Sequence, residues 1–302
     1  MGWIPVANRI DASASGPIEE FAPAKINLFL HVGDKRADGY HPLESLVVFV
    51  DAGDNLIFAD ADSLSLTIDG PFGEGLAGEG DNLVLRAARA LAARAGVAKG
   101  AAITLTKNLP VASGIGGGSA DAAAALRGLA RLWKLHIGLD AMLEIAATLG
   151  SDVPVCVASR SSFMEGRGEI VTAVEGVPPA AMVLVNPGVA VPTPAVFRAV
   201  KERSGLGGTL PSSFGADALA RYLRTTKNDL EAPAKEIAPV IREVLGELAR
   251  MPGILLARMS GSGATCFGLF EDGVSSDMAA IALAHSHPGW WVKAARAMTP
   301  FI

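Results

Sequence analysis

The sequence predicts an α+β fold in two packed domains. Its 302 residues exceed the size at which a single hydrophobic core usually stops growing, with one large domain as the alternative. Half of the residues are hydrophobic and 19% are charged, which is ample apolar material for compact cores and too little charge for disorder. Strand-like and helix-like segments follow one another too irregularly for a doubly wound parallel sheet. A boundary is expected within Ser159 to Gly168, dividing the chain into 1–165 and 166–302.

The chain opens with β structure. Phe21 to Val32, Leu46 to Asp51, Leu56 to Ala59 and Leu64 to Ile68 read as strands separated by turn-rich pieces. Asp81 reads as an N-cap, with Leu83, Val84, Ala87, Ala90 and Leu91 on one helical face and Gly96 as the stop. A strand from Ala101 to Thr106 precedes a glycine-rich loop, which feeds a helix over Ala120 to Trp133. A helix over Leu139 to Leu149 stops at Gly150 and leads through Ser151 and Asp152 into an apolar strand, Val153 to Ala158. The second half restarts the pattern. Strands fall near Glu169 to Val174 and Ala181 to Val185, and helices after Thr193, around Ala216 to Arg224 and before Arg250. Strand, helix and strand complete the chain, and Ser204 to Gly215 is a polar surface loop.

The formal charge is −5 and no Lys or Arg stripe is present, so neither nucleic acid nor an anionic membrane is an expected partner. The expected partners are a small-molecule substrate and a nucleotide. Cys156 and Cys266 lie in apolar stretches without CxxC spacing, which suits inert buried thiols in a reducing compartment. No basic start or apolar export segment opens the chain, and Ala180 to Val191 is too short and is broken by Pro187, so the cytoplasm is expected.

The segment Pro110-Val-Ala-Ser-Gly-Ile-Gly-Gly-Gly-Ser-Ala120 carries the first chemistry. Glycines without Cβ atoms let backbone N–H groups approach an anion, the following helix offers its positive end, and Ser119 adds a hydroxyl for phosphate or a metal ion. A Walker A loop would need a lysine after the last glycine, where Ser119 stands. A dinucleotide fingerprint would need a glycine three beyond Gly116, again position 119. Taken alone, the loop is either a phosphate cradle or a tight strand-to-helix turn.

Pro23-Ala-Lys-Ile-Asn27, the loop from Pro110 and Ser260-Gly-Ser-Gly-Ala264 together resemble the GHMP kinases, in that family's order. Ala22 to Leu30, Asp38-Gly-Tyr-His41, Gly150-Ser-Asp-Val-Pro154, Val191-Pro-Thr-Pro-Ala-Val-Phe197 and Asn228-Asp-Leu230 resemble, within it, the 4-diphosphocytidyl-2-C-methyl-D-erythritol kinase family. The likeness runs from Phe21 to the C-terminus. It implies a ribosomal-protein-like ATP-binding domain, a smaller ferredoxin-like domain, and a monomer or weak homodimer. The activity it implies is ATP- and Mg²⁺-dependent phosphorylation of the 2-hydroxyl of a cytidine-diphospho sugar alcohol, on the non-mevalonate route to isoprenoid precursors. A sister kinase acting on another alcohol and a non-catalytic nucleotide-binding regulator are the rivals. Ala112, Ser113 and Ala264 depart from the residues common in relatives.

The resemblance implies a role for each matched residue. Lys25 and Asp152 match the catalytic pair. Asn82, Lys107 and the loop Pro110, Val111, Ala112, Ser113, Gly114, Ile115, Gly116, Gly117, Gly118, Ser119 and Ala120 match the nucleotide side. Asn27, Tyr40, His41, Thr193 and Phe197 match the substrate side, with Tyr40 and Phe197 stacking on cytosine. Without it, Asp152 reads as a loop carboxylate, Lys25 as a strand-edge lysine, Tyr40 and His41 as turn-flanking residues and Phe197 as core. Ser260 to Gly263 is either a second backbone nest with Ser262 as donor or a plain turn. No metal ligand is assigned.

Overall fold

The computed structural model describes residues 16–37, 39, 41–74, 76, 82–211 and 216–298. The first half runs β1 (Ile18–Asn27), β2 (His31–Val32), β3 (Leu43–Ala59), β4 (Leu64–Asp69), α1 (Leu83–Ala95), β5 (Ala101–Thr106), α2 (Gly117–Leu132), α3 (Leu139–Leu149) and α4 (Val153–Ala158). Next come β6 (Ser162–Glu165), β7 (Ile170–Ala173), β8 (Ala181–Asn186), α5 (Thr193–Arg198), α6 (Ala216–Arg224), α7 (Glu231–Ile237) and α8 (Val240–Ala249). The chain closes with β9 (Ile254–Met259), β10 (Cys266–Phe270), α9 (Gly273–Ser286) and β11 (Trp291–Arg296).

A seven-stranded sheet has the order β4-β5-β3-β6-β7, with β1 and β2 also paired to β3. A four-stranded antiparallel sheet has the order β11-β8-β10-β9. Because side chains alternate across a strand, β3 serves two cores: Val47 and Phe49 face one with α1 to α4, while Leu46, Val48 and Val50 face the other with Met182, Leu184 and Phe267 of the second sheet. A third core packs α5, α7, α8 and α9 on the outer face of the second sheet. The β6-β7 hairpin spans position 165, and both of its strands belong to the first sheet.

Several expectations are corrected. Val153 to Ala158 forms a helix rather than a strand, with Pro154 in its first turn, where a missing N–H costs nothing; a short apolar run has no period that separates the two forms. Leu46 to Asp51 and Leu56 to Ala59 are parts of one continuous strand, paired along its length with β1, in which Gly53 passes directly against the Ala22 carbonyl, where a Cβ would stand at 2.4 Å. The strand expected from Phe21 to Val32 breaks after Asn27. The cap expected at Asp81 lies outside the described residues; Asn82 is the N-cap of α1, its Oδ1 accepting from the Val84 N–H at 2.8 Å. Gly96 closes α1 in the left-handed conformation, as expected (φ 64°). Cys156 and Cys266 are both buried and unpaired, and burial pushes the Cys156 thiol up to about 12. Among the described residues no helix is long and apolar enough to cross a membrane.

Candidate active site

A cavity of about 780 Å³ opens where β1, the glycine loop, the start of α4 and the loop before β10 converge. Lys25 sits on β1 between Ala24 and Ile26, which face a core, so strand alternation turns its side chain to the other face. It is nearly buried, and its Nζ meets Asp152 Oδ2 at 2.9 Å, while Asp152 remains 41% exposed to the cavity. Asp152 is the N-cap of α4, two residues beyond the Gly150 that closes α3.

The glycine loop is locked to the same strand: the Lys25 N–H donates to the Ile115 carbonyl at 3.0 Å. Gly116 takes a left-handed conformation (φ +65°), and a Cβ there would stand 3.3 Å from Lys25 Cβ and Cε. Gly116 is also the N-cap of α2, so the helix presents its orphan N–H groups and positive end at the cavity wall. Ser119, half-buried in the first turn, lines the same wall. Val111, Ala112, Ser113, Gly114, Gly117 and Gly118 line it too, as does Pro110, whereas Ile115 and Ala120 are buried in the cores and anchor the loop.

The Ser260 to Gly263 loop packs backbone to backbone on the glycine loop. A Cβ on Gly114 would stand 2.6 Å from the Ser260 carbonyl, and one on Gly261 2.6 Å from the Gly114 carbonyl. Thr265 N–H donates to the Ser113 carbonyl at 3.1 Å and Ser260 Oγ to the Gly114 carbonyl at 3.1 Å. Asn228 braces this loop from behind, donating to the Met259 and Gly261 carbonyls at 2.8 Å each. Gly261 and Ser262 face the cavity, where Ser262 Oγ and Thr193 Oγ1 lie 2.7 Å apart.

Lys107 also lines the cavity, under the start of α2. Its ammonium lies 2.5 Å from Asp54 Oδ2 and 2.7 Å from Asp121 Oδ2, all three groups buried. Burial alone would lower the lysine's pKa, but Asp121 and Asp54 outweigh it and the value is raised. Burial raises the Asp121 carboxyl to about 7, Asp54 adding to the shift and Lys107 opposing it. Asp121 Oδ1 is buried without a hydrogen-bond partner.

With this geometry in place, comparison with known proteins is decisive. The family description "GHMP kinases N terminal domain" matches residues 82–160, and "GHMP kinases C terminal" matches residues 213–286. The chain is 52% identical to the 4-diphosphocytidyl-2-C-methyl-D-erythritol kinase of Rhodospirillum rubrum, over 94% of this chain and 93% of that one. It is 53% identical to the protein of the same name from Cereibacter sphaeroides, over 92% and 98%. The chain belongs to the 4-diphosphocytidyl-2-C-methyl-D-erythritol kinases. A crystal structure of 4-(cytidine 5'-diphospho)-2C-methyl-D-erythritol kinase superposes with a TM-score of 0.75 at 34% identity, covering 93% of this chain and all of that one. Homoserine kinase from Cytophaga hutchinsonii, at 17% identity and a TM-score of 0.66, shares the fold. The two-domain GHMP kinase fold and the use of ATP follow from this membership.

Of the residues that the family motifs single out, Lys25, Asn27, Asn82, Lys107, Asp152, Thr193 and Phe197 all line this cavity. Asn27 is held by its side-chain N–H to Ser45 Oγ at 2.7 Å and by its backbone N–H to Ser260 Oγ at 3.1 Å. His41 is placed outside the cavity wall, its Nδ1 3.0 Å from the Gly33 carbonyl. Tyr40 lies outside the described residues. Sequence reasoning did not find Asp54, Asp121, Met164 or Arg167. A lone carboxylate in the otherwise apolar start of α2 was the available signal for Asp121, whereas Asp54 reads in sequence as an ordinary turn residue.

Proposed function

We propose that this chain transfers the γ-phosphoryl group of ATP to the 2-hydroxyl of 4-diphosphocytidyl-2-C-methyl-D-erythritol. The observation that carries the reading is the Lys25–Asp152 pair, standing in one cavity between the glycine loop and the Thr193–Phe197 wall. The loop N–H groups and the start of α2 hold the triphosphate, Lys107 and Asn82 serve the nucleotide, and Asn27, Thr193 and Phe197 serve the acceptor.

The acceptor oxygen forms a bond to the γ-phosphorus as the bond to the β,γ-bridging oxygen breaks, leaving ADP. Asp152 Oδ receives the hydroxyl proton, and Lys25, fixed against it, offsets charge on the moving phosphoryl group. A loose transition state asks little of the base, so alignment by the two loops carries more of the barrier than proton removal. Among the described residues no set of three His, Cys, Asp or Glu is arranged to hold a metal ion. The Ser119 hydroxyl, on the cavity wall at the start of α2, would be one donor to Mg²⁺ brought in with the nucleotide, and the ion would neutralise phosphate charge. The two unpaired buried cysteines suit a cytoplasmic setting.

The test follows ADP release by the purified chain with Mg²⁺ATP and a panel of the cytidine-diphospho alcohol, homoserine, mevalonate and galactose. Turnover confined to the first acceptor is expected. Turnover only on another member of the panel sinks the reading.

A further inference from the structure

Two carboxylates, Asp54 and Asp121, are buried beneath the loop that is to hold a triphosphate. An uncompensated negative charge there opposes phosphate binding. Both instead close on one ammonium: Lys107 Nζ lies 2.5 Å from Asp54 Oδ2 and 2.7 Å from Asp121 Oδ2, which commits two of its N–H groups.

Asp54 is the hub of a wider set of bonds. Its neighbour Asn55 pairs with Thr106 at the end of the β3-β5 ladder, so Lys107 stands where the chain leaves the sheet. The second oxygen of Asp54, Oδ1, accepts the Asn108 N–H at 2.6 Å and the Leu109 N–H at 2.8 Å. Those residues lead straight into Pro110 and the glycine loop. Beyond the loop, Lys107 carries the link on to Asp121, inside α2, whose Oδ1 has no hydrogen-bond partner. Gly117, which opens α2, lies directly over the cluster: a Cβ there would stand 3.1 Å from Lys107 Nζ and 3.7 Å from Asp54 Oδ2.

One carboxylate therefore holds the entry of the loop by its backbone and the exit through Lys107. Asp54 itself is fully buried and forms no part of the cavity wall, whereas Lys107, Gly117 and Asp121 do. Whatever Asp54 does to a bound nucleotide, it does through them.

We infer that Asp54 is a positioning residue for nucleotide binding, setting the spacing between the entry of the glycine loop and the start of α2 so that their N–H groups converge on one phosphate chain. The inference rests on the glycine loop holding the phosphates of ATP, as proposed above. A buried ion cluster is a poor source of net stability, because desolvation of each charge offsets their attraction. Its larger effect is on geometry: N–H groups already gathered at the site bind an anion without the ordering that a loose loop would require.

The test titrates adenosine, ADP and a non-hydrolysable ATP analogue, each with Mg²⁺, into the full chain as wild type, Asp54→Asn and Asp121→Asn. Asp54→Asn keeps the side-chain shape and an acceptor for the loop N–H groups but turns an amide toward Lys107. Bare electrostatics predicts tighter nucleotide binding, since each variant removes a negative charge from beneath a polyanion. Positioning predicts the opposite sign. The ATP analogue should bind Asp54→Asn roughly 10- to 100-fold more weakly, the loss of a charged hydrogen bond, with a smaller loss for ADP and none for adenosine. Asp121→Asn, which leaves the loop entry bonded to Asp54, should show the same order with a smaller loss. In turnover, the KM for ATP should rise while that for the acceptor holds. Unchanged or tighter binding of the ATP analogue by Asp54→Asn overturns the inference, as does equal weakening of adenosine and the analogue, the mark of a general packing role. If Asp54→Asn does not fold, Asp121→Asn decides by the same readings. A wild type that binds the analogue no more tightly than adenosine removes the phosphate-loop reading and the inference with it. Failure of the wild type to phosphorylate the cytidine-diphospho alcohol speaks instead against the proposed reaction, since the titrations need no acceptor.

Discussion

Lys25 Nζ lies 2.9 Å from Asp152 Oδ2, yet the lysine side chain is 4% exposed and the aspartate 41%. The pair thus joins a buried, immobile cation to a carboxylate open to an incoming hydroxyl. Asp152→Ala should abolish turnover, with the base itself worth ~10²–10⁴ in rate, while ATP affinity stays within a few fold because Asp152 stands outside the glycine loop. Steady-state kinetics paired with nucleotide titration reads both. Near-normal turnover removes Asp152 from the base role.

Gly114→Ala should cost both stability and nucleotide affinity. Its left-handed backbone (φ +77°) disfavours a side chain, and the new methyl would stand 2.6 Å from the Ser260 carbonyl and 2.7 Å from Gly263 N and O. Overpacking of this kind costs about 1–3 kcal/mol, so a lower Tm is expected together with a raised KM for ATP. An unchanged Tm contradicts the backbone contact between the two loops.

Asp121 makes stability depend on pH in a defined direction. Its carboxyl is held at about 7 in the folded chain by burial and by Asp54, against 3.8 as the ordinary value. Between those values folding takes up a proton, so its contribution is present at low pH and is lost as pH rises toward 7. Asp121→Asn removes this dependence, and the variant's stability relative to the wild type should climb between pH 4 and 7 and then level off. Urea unfolding across that range checks it, and parallel profiles exclude it.

Phe197 lines the cavity half-buried, on the side proposed for the acceptor. Phe197→Leu should raise the KM for the acceptor by the loss of a ring stack, about 0.5–1.5 kcal/mol or roughly 2- to 13-fold, with the KM for ATP unchanged. An effect on ATP instead places the ring on the nucleotide side.

Cys156 should resist thiol reagents in the folded protein at pH 8, since burial holds its thiol at about 12 and leaves little thiolate. Labelling should appear only with denaturant; mass spectrometry after brief alkylation distinguishes the two.

Much of this was legible in the chain. Gly96 and Gly116 take left-handed conformations that favour glycine, so the end of α1 and the start of α2 are each marked by a single residue. The α+β class, the buried cysteines and the glycine loop follow from composition, period and spacing. Other features depend on partners far along the chain. Val153 to Ala158 has no period of its own, and its helix is decided by the core it enters. Asp54 looks like a turn residue until the strand pairing of β3 and β5 sets it beside Lys107, 53 positions away.

The sequence by itself determined the glycine loop and the helix that follows it, because both are set by local backbone requirements, while leaving a phosphate cradle and a tight turn as alternative readings of that loop. Only the tertiary structure decided how Lys25 meets Asp152, how the Ser260 loop seals onto Gly114, and that Arg167 faces the same cavity. These groups come from separate strands and helices, and long-range packing alone sets the distances between them.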